Sequence, residues 1–191
     1  ITTEGKFGSI GIPISDTDVM VVDPIDGIKV LPPDQKGEII IRGPQVIKEY
    51  WENPEETAHA IRNGWLYTGD IGYMDDDGFL YLVDRKKDMI IVGGFNVYPR
   101  EIDELLFTHP KIIEACTIGI PDPRLGEVPK SFVVLKSGET LGAEEVRAFC
   151  REKMIAYKVP KIVEFVDIIP KTIVNKPDKE ALKRMEEKLL K

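Results

Sequence analysis

Gly64-Trp65-Leu66-Tyr67-Thr68-Gly69-Asp70, then Asp84-Arg85-Lys86-Lys87-Asp88, then Gly93-Gly94-Phe95-Asn96-Val97-Tyr98-Pro99: polar loops recur at short intervals between apolar runs. Strands do not need such loops for stability, so this punctuation points to a ligand. Upstream, the short β-rich runs Val19-Met20-Val21-Val22 and Glu38-Ile39-Ile40-Ile41 are separated by the turn residues Pro24, Asp26, Gly27, Pro32 and Pro33. Asn53-Pro54-Glu55-Glu56 opens a short helix, with Asn53 as cap, Pro54 in the first position and Glu56 completing a capping box, fading near Asn63-Gly64. Leu66 to Val83 reads as a hairpin turned at Asp75-Asp76-Asp77-Gly78. These acids lack the spacing of a calcium loop and read as a solvated turn.

After Lys87 helices and strands alternate. Strands are expected over Met89 to Val92, Ile112 to Ile120, Ser131 to Leu135 and Lys161 to Val166. Helices are expected over Pro99 to Phe107, Ala143 to Met154 and Asp178 to Leu190. The order β-α-β-β-α-β-α is the signature of a compact α+β domain. The charged run Asp84 to Asp88 between two apolar runs is the expected boundary and a candidate hinge.

A net charge of −7 argues against nucleic acid as the main partner, since a phosphate backbone rewards a basic face. It leaves room for a small anion held by a local cluster of Lys and Arg. Cys116 and Cys150 sit in apolar contexts and read as buried thiols, and His59 and His109 lie too far apart for metal-ligand spacing, so no metal site is expected. No apolar run is long enough for a transmembrane segment, no signal peptide is visible, and a cytoplasmic protein is the default expectation. The chain starts at Ile1 without Met, which reads as processing or as a fragment.

Each candidate residue has two readings. Asp70, at a strand exit, can accept two hydrogen bonds from a sugar diol, or it can bond its own backbone in a turn. Arg85 can donate to the same diol or to a phosphate, or pair at the surface with Asp84 or Asp88. Gly93-Gly94 lets the backbone approach a ligand, or makes a tight turn, and no Walker pattern accompanies it. Lys176 before Pro177 is expected at the N-cap of the terminal helix, where lysine is a poor cap and its charge opposes the helix dipole. It is either a hand reaching for an anion or a solvated loop lysine.

Together these residues resemble the adenylate-forming superfamily of acyl-CoA and aryl-CoA ligases, peptide-synthetase adenylation domains and beetle luciferases. Tyr67-Thr68-Gly69-Asp70 resembles its ribose motif. Asp84-Arg85-Lys86-Lys87-Asp88 through Gly93-Gly94-Phe95-Asn96-Val97-Tyr98-Pro99 to Glu101-Ile102 resembles its hinge and following loop. Tyr157-Lys158-Val159-Pro160 and Pro170-Lys171-Thr172-Ile173-Val174-Asn175-Lys176 resemble its C-terminal motif. The resemblance implies an α+β fold in which residues 1–84 form a small β-rich subdomain ending the large AMP-binding domain. Residues 85–191 would form the mobile C-terminal domain, a three-stranded sheet with helices plus a hairpin at the hinge. It implies nucleotide binding by Asp70 and Arg85, a hinge at Lys87, coenzyme A binding along Gly93 and Gly94, and catalysis of adenylation by Lys176. ATP, magnesium and CoA would serve the intact enzyme, with none bound tightly by these residues alone.

Two positions depart from the family pattern. Asn175 stands where the family has Gly, a turn Asn tolerates, and Lys179 stands where it has Arg. The family's upstream Ser/Thr/Gly-rich phosphate loop is absent from the sequence. The expectation is therefore the C-terminal part of a fatty-acid–CoA ligase, inactive alone, with small-molecule substrates and an open oligomeric state. The rivals are an aryl-CoA ligase fragment and a non-catalytic nucleotide- or partner-binding module.

Overall fold

The computed structural model describes residues 6–189. They form two compact units divided between Lys87 and Asp88, inside the charged run Asp84 to Asp88 and within a 3-10 turn over Lys86–Asp88.

The first unit holds β1 (Asp18–Val22), β2 (Gly37–Arg42), α1 (Pro54–Ala60), β3 (Ile61–Arg62), β4 (Trp65–Met74) and β5 (Leu80–Arg85). The strands make one antiparallel sheet in the order β1-β2-β4-β3, with β5 also on β4. Val21, Ile39 and Leu80 are its buried centre, packed by Val19, Leu31, Ile41 and Met74. The Asn53 side chain accepts the Glu56 N–H at 3.1 Å and caps α1. The helix stops at Ala60, short of Asn63, because Ile61 and Arg62 pair with Leu66 and Trp65. At the acidic turn Asp75 accepts the N–H groups of Asp77 and Phe79, and Lys6 pairs with Asp75 and Asp77.

The second unit holds β6 (Ile90–Val92), β7 (Phe95–Val97), α2 (Pro99–Phe107), β8 (Ile112–Asp122), β9 (Gly126–Leu135), α3 (Ala143–Arg151), β10 (Ile162–Phe165) and α4 (Lys179–Leu189). β10 runs parallel to β9, and the other pairings are antiparallel. The three strands β8, β9 and β10 and the hairpin β6–β7 join through Val92 and Gly126 into one five-stranded sheet. β9 starts five residues before the expected Ser131. Pro129 lies inside it, opposite Gly119, and its carbonyl accepts the Lys161 N–H.

Strand alternation gives this sheet two covered faces. Ala115 and Val133 point to a core with Ile102 and Leu106 of α2 and Val146 and Cys150 of α3. Cys116 and Phe132, one residue along, point to the core that receives Leu182 of α4. Each fully buried Val, Leu, Ile or Phe side chain here contributes about 1.5–3 kcal/mol. Both cysteines are buried and neither is in a disulfide, and burial raises the Cys150 pKa to about 11. Among the described residues no helix is long and apolar enough to cross a membrane. Among them, too, no group of His, Cys, Asp and Glu is placed to hold a metal ion.

Candidate functional site

In the first unit the site begins with a break in a ladder. Glu38 pairs with Ile71 and Ile40 with Tyr67, so Thr68, Gly69 and Asp70 all stand against Ile39 alone. This is a bulge, a device that bends a strand and re-aims its side chains. Its polar groups are satisfied locally. The Thr68 hydroxyl donates to the Ile39 carbonyl at 2.7 Å and accepts the Asp70 N–H at 3.1 Å. The Gly69 N–H, from a residue at φ +69°, donates to Glu38 Oε1 at 3.2 Å. Thr68 thus closes the turn, and the Asp70 carboxylate is left for a partner across the sheet.

That partner is Arg85. The β4–β5 register puts the two residues opposite each other, and Arg85 Nη1 donates to Asp70 Oδ1 at 2.8 Å. Their side chains are 31% and 57% exposed, so the pair adds at most about 1 kcal/mol to stability. The guanidinium retains further donors and Asp70 a second acceptor oxygen, a set that matches a vicinal diol. Neither Asp84 nor Asp88 takes the Arg85 guanidinium, and Asp84 Oδ1 instead accepts the Arg85 backbone N–H.

Glu38 was not singled out from sequence. Its side chain is only 3% exposed, and its Oε2 accepts Lys86 Nζ at 2.7 Å. It holds the bulge on one side and the segment after β5 on the other. The available signal was an acid inside the otherwise apolar run Glu38-Ile39-Ile40-Ile41. A cleft of about 440 Å³ opens here, bordered by Tyr67, Thr68 and Gly69 and by the cations Arg62, Arg85, Lys86 and Lys87. Four cations outnumber its two acids, Glu38 and Glu56, so the cleft favours an anion.

In the second unit Gly93 and Gly94 form the two-residue turn between the paired Val92 and Phe95. Their φ values of +56° and +87° are those of a hairpin turn that only glycine enters at little cost. A Cβ on Gly94 would meet nothing within 4 Å, so backbone handedness rather than crowding calls for glycine. Phe95 then stacks on Tyr157 at 4.7 Å between ring centres, and Lys158 Nζ reaches Glu101 Oε2 at 2.5 Å. Two motifs some sixty residues apart in sequence are thereby brought together.

Lys176 lies on a loop that closes on itself. The Thr172 N–H donates to the Lys176 carbonyl at 2.8 Å, the Asn175 N–H to the Thr172 carbonyl at 2.9 Å, and the Lys176 N–H to Thr172 Oγ1 at 3.2 Å. Asn175 takes φ +60°, the left-handed turn expected of the residue replacing Gly. Ile173 and Val174 form an exposed apolar tip beside the exposed lysine. Lys176 is not the cap of α4, contrary to the sequence expectation. Asp178 is, its Oδ1 accepting the Ala181 N–H at 2.9 Å. An aspartate at that position satisfies an orphan donor and matches the helix dipole, which a lysine does not. Pro177 instead bridges to Lys171.

Residues 1–51 match the model of the AMP-binding enzyme family, and residues 101–176 match that of the AMP-binding enzyme C-terminal domain. A long-chain-fatty-acid–CoA ligase of Bacillus subtilis (strain 168) is 51% identical over 173 residues, covering 91% of this chain and 31% of that protein. The solved structure of ATP-bound MatB from Rhodopseudomonas palustris is similar with a TM-score of 0.87 and 34% identity, over 96% of this chain and 37% of that one. The o-succinylbenzoate CoA synthetase of Bacillus subtilis, in complex with its acyl-adenylate intermediate, is similar with a TM-score of 0.83 and 38% identity, over 93% and 36%.

The chain belongs to the AMP-binding, adenylate-forming enzyme family, among whose members are acyl-CoA and aryl-CoA ligases. It spans about a third of the length of these relatives.

Proposed function

We propose that the chain is the C-terminal portion of an ATP-dependent fatty-acid–CoA ligase. The observation that carries this reading is the Asp70–Arg85 pair, set on a bulge at the edge of a cationic cleft. Asp70 and Arg85 bind the ribose hydroxyls of ATP. Lys176 meets the substrate carboxylate and the α-phosphate as the carboxylate oxygen attacks phosphorus and the bond to pyrophosphate breaks. Its ammonium stabilises charge that grows in the transition state, where a fixed cation has most effect. In the second step the CoA thiol loses its proton, its sulfur attacks the acyl carbon, and the bond to AMP breaks.

Lys87 is the hinge on which the second unit turns between the steps, and the bare Gly93-Gly94 turn lets the pantetheine arm pass close to the backbone. Such gating separates two reactions that need different groups at one place. Magnesium enters with ATP as the counter-ion of its phosphates. The cytoplasm supplies ATP and CoA, and we place the enzyme there.

Residues 1–87 represent the end of the large AMP-binding domain and residues 88–191 the mobile domain. The matched residues represent about a third of the relatives, so this chain alone is expected to form no acyl-CoA from ATP, CoA and fatty acids. An aryl acid is the second reading, favoured by the similarity to o-succinylbenzoate CoA synthetase.

The test is ATP–pyrophosphate exchange by the full-length polypeptide containing this chain, across fatty and aryl acids. Exchange with fatty acids supports the proposal, and exchange with aryl acids alone replaces it by the second reading. AMP binding without exchange on any acid would leave a nucleotide-binding module.

A further inference from the structure

Asp88 opens the second unit and Lys179 is the first residue of α4. Lys179 Nζ lies 3.8 Å from Asp88 Oδ2, with the side chains 17% and 11% exposed. Asp88 Oδ1 is buried and accepts no hydrogen bond among the described residues. Burying a carboxylate this far strips it of water, and a long ion pair with one oxygen unfilled offsets that poorly. Lys179 also breaks a local preference, because a cation in the first helical turn opposes the helix dipole. Two such breaches in one contact mark a pair kept for position rather than for stability.

The surroundings say what is positioned. The Lys176 loop is closed by its own hydrogen bonds, so it moves as a unit. It is tied at one end to β8 by the Lys171–Glu114 ion pair and at the other to α4 by the Asp178 cap. Farther along, α4 is held by buried Leu182 and by Glu186 on Lys130, and at its cap the Asp178 N–H donates to the Pro170 carbonyl. Lys179 adds an attachment in the first turn, three residues after Lys176, and Asp88 is one residue after Lys87.

We propose that the Lys179–Asp88 pair is a positioning contact. It fixes the first turn of α4, and with it Lys176, relative to the segment that enters the second unit. The inference rests on the reading of Lys176 as the adenylation lysine, and Lys179 itself touches no substrate.

Two measurements test it on Lys179→Met, Lys179→Arg and Asp88→Asn. In the full-length polypeptide, Lys179→Met should slow adenylation about 10- to 100-fold, the cost of displacing a catalytic group by about an ångström, and change thioester formation from supplied acyl-adenylate no more than about 3-fold. Lys179→Arg should restore adenylation, and Asp88→Asn combined with Lys179→Met should be no worse than the poorer single variant. Equal losses in both half-reactions, or no loss, overturn the proposal.

In the 191-residue chain, hydrogen exchange of residues 171–178 should quicken in Lys179→Met and Asp88→Asn, with β8 and β9 unchanged. Unaltered exchange in that loop overturns the proposal whatever the activity. Quickened exchange beside a wild-type protein that adenylates nothing supports the contact and refutes the ligase reading instead.

Discussion

Asp70 and Arg85 stand opposite each other across β4 and β5, joined at 2.8 Å, and a three-residue bulge directs the first of them toward the second. The pair is exposed, so its removal should scarcely affect folding. In Asp70→Ala and Arg85→Met the unfolding free energy of the chain is expected to change by less than about 1 kcal/mol. AMP binding by the full-length polypeptide, read by calorimetry, should weaken about tenfold, the value of one lost charge-assisted hydrogen bond. An unchanged Kd would remove both residues from the ribose site.

Glu38 should behave in the opposite way. Its carboxylate is buried and serves both Gly69 and Lys86. Breaking a fully buried pair costs about 3–5 kcal/mol, and the partly exposed Lys86 lowers the expectation for Glu38→Ala to about 2 kcal/mol. Denaturant titration of the chain reads this directly. A loss confined to nucleotide binding, with stability intact, would contradict it.

The glycines divide by physical cause. Gly93→Ala and Gly94→Ala impose positive φ on a side chain and should each cost about 1–2 kcal/mol. A Cβ on Gly72 would stand 2.4 Å from the Tyr81 carbonyl oxygen, inside the sheet. Gly72→Ala should therefore cost about 3 kcal/mol or more, with backbone shifts between β4 and β5. Chemical denaturation that ranked Gly72→Ala as the mildest of the three would overturn this ordering.

Lys176→Ala removes an exposed side chain, so stability should stay within about 0.5 kcal/mol of wild type. In the full-length polypeptide, adenylation should slow by about 100-fold or more, while thioester formation from supplied acyl-adenylate continues near its normal rate. Equal losses in the two half-reactions would refute the assigned role.

His109 carries a pH signature. Burial, then the nearby Lys111 charge, pushes its pKa below the ordinary histidine value. Between its folded and unfolded pKa values the unfolded chain binds more protons, so stability rises with pH there. Stability should be full above about pH 6.5, fall as the pH drops below that unfolded value, and level off beneath the folded one. His109→Gln should flatten this step in thermal melts taken across the window, and a step that survives the substitution belongs to another group.

Much of the fold was legible because its signals are local. α2 starts at Pro99 and ends at Phe107 as its apolar spacing requires, and the turn Asp75 to Gly78 lies where its residues place it. The misreadings came where partners override local preference. Pro129 lies inside β9 because neighbouring strands accept it, and α1 ends at Ala60 because Ile61 finds β4. Lys176 was expected to cap α4 because Pro177 suits a first helical position, but the bridge to Lys171 claims that proline.

The sequence by itself determined the longer helices and strands, the turn chemistry and the family, since periodicity, glycine and proline placement and motif order are properties of the chain alone, whereas the short strands β3 and β7 exist only through their pairing. Tertiary structure alone decided that Glu38 is buried beneath the bulge and that Phe95 meets Tyr157. It also brought Lys179 to Asp88, ninety-one positions away. Those contacts arise from sheet register and from which face of a helix is covered, and no window of neighbouring residues carries that information.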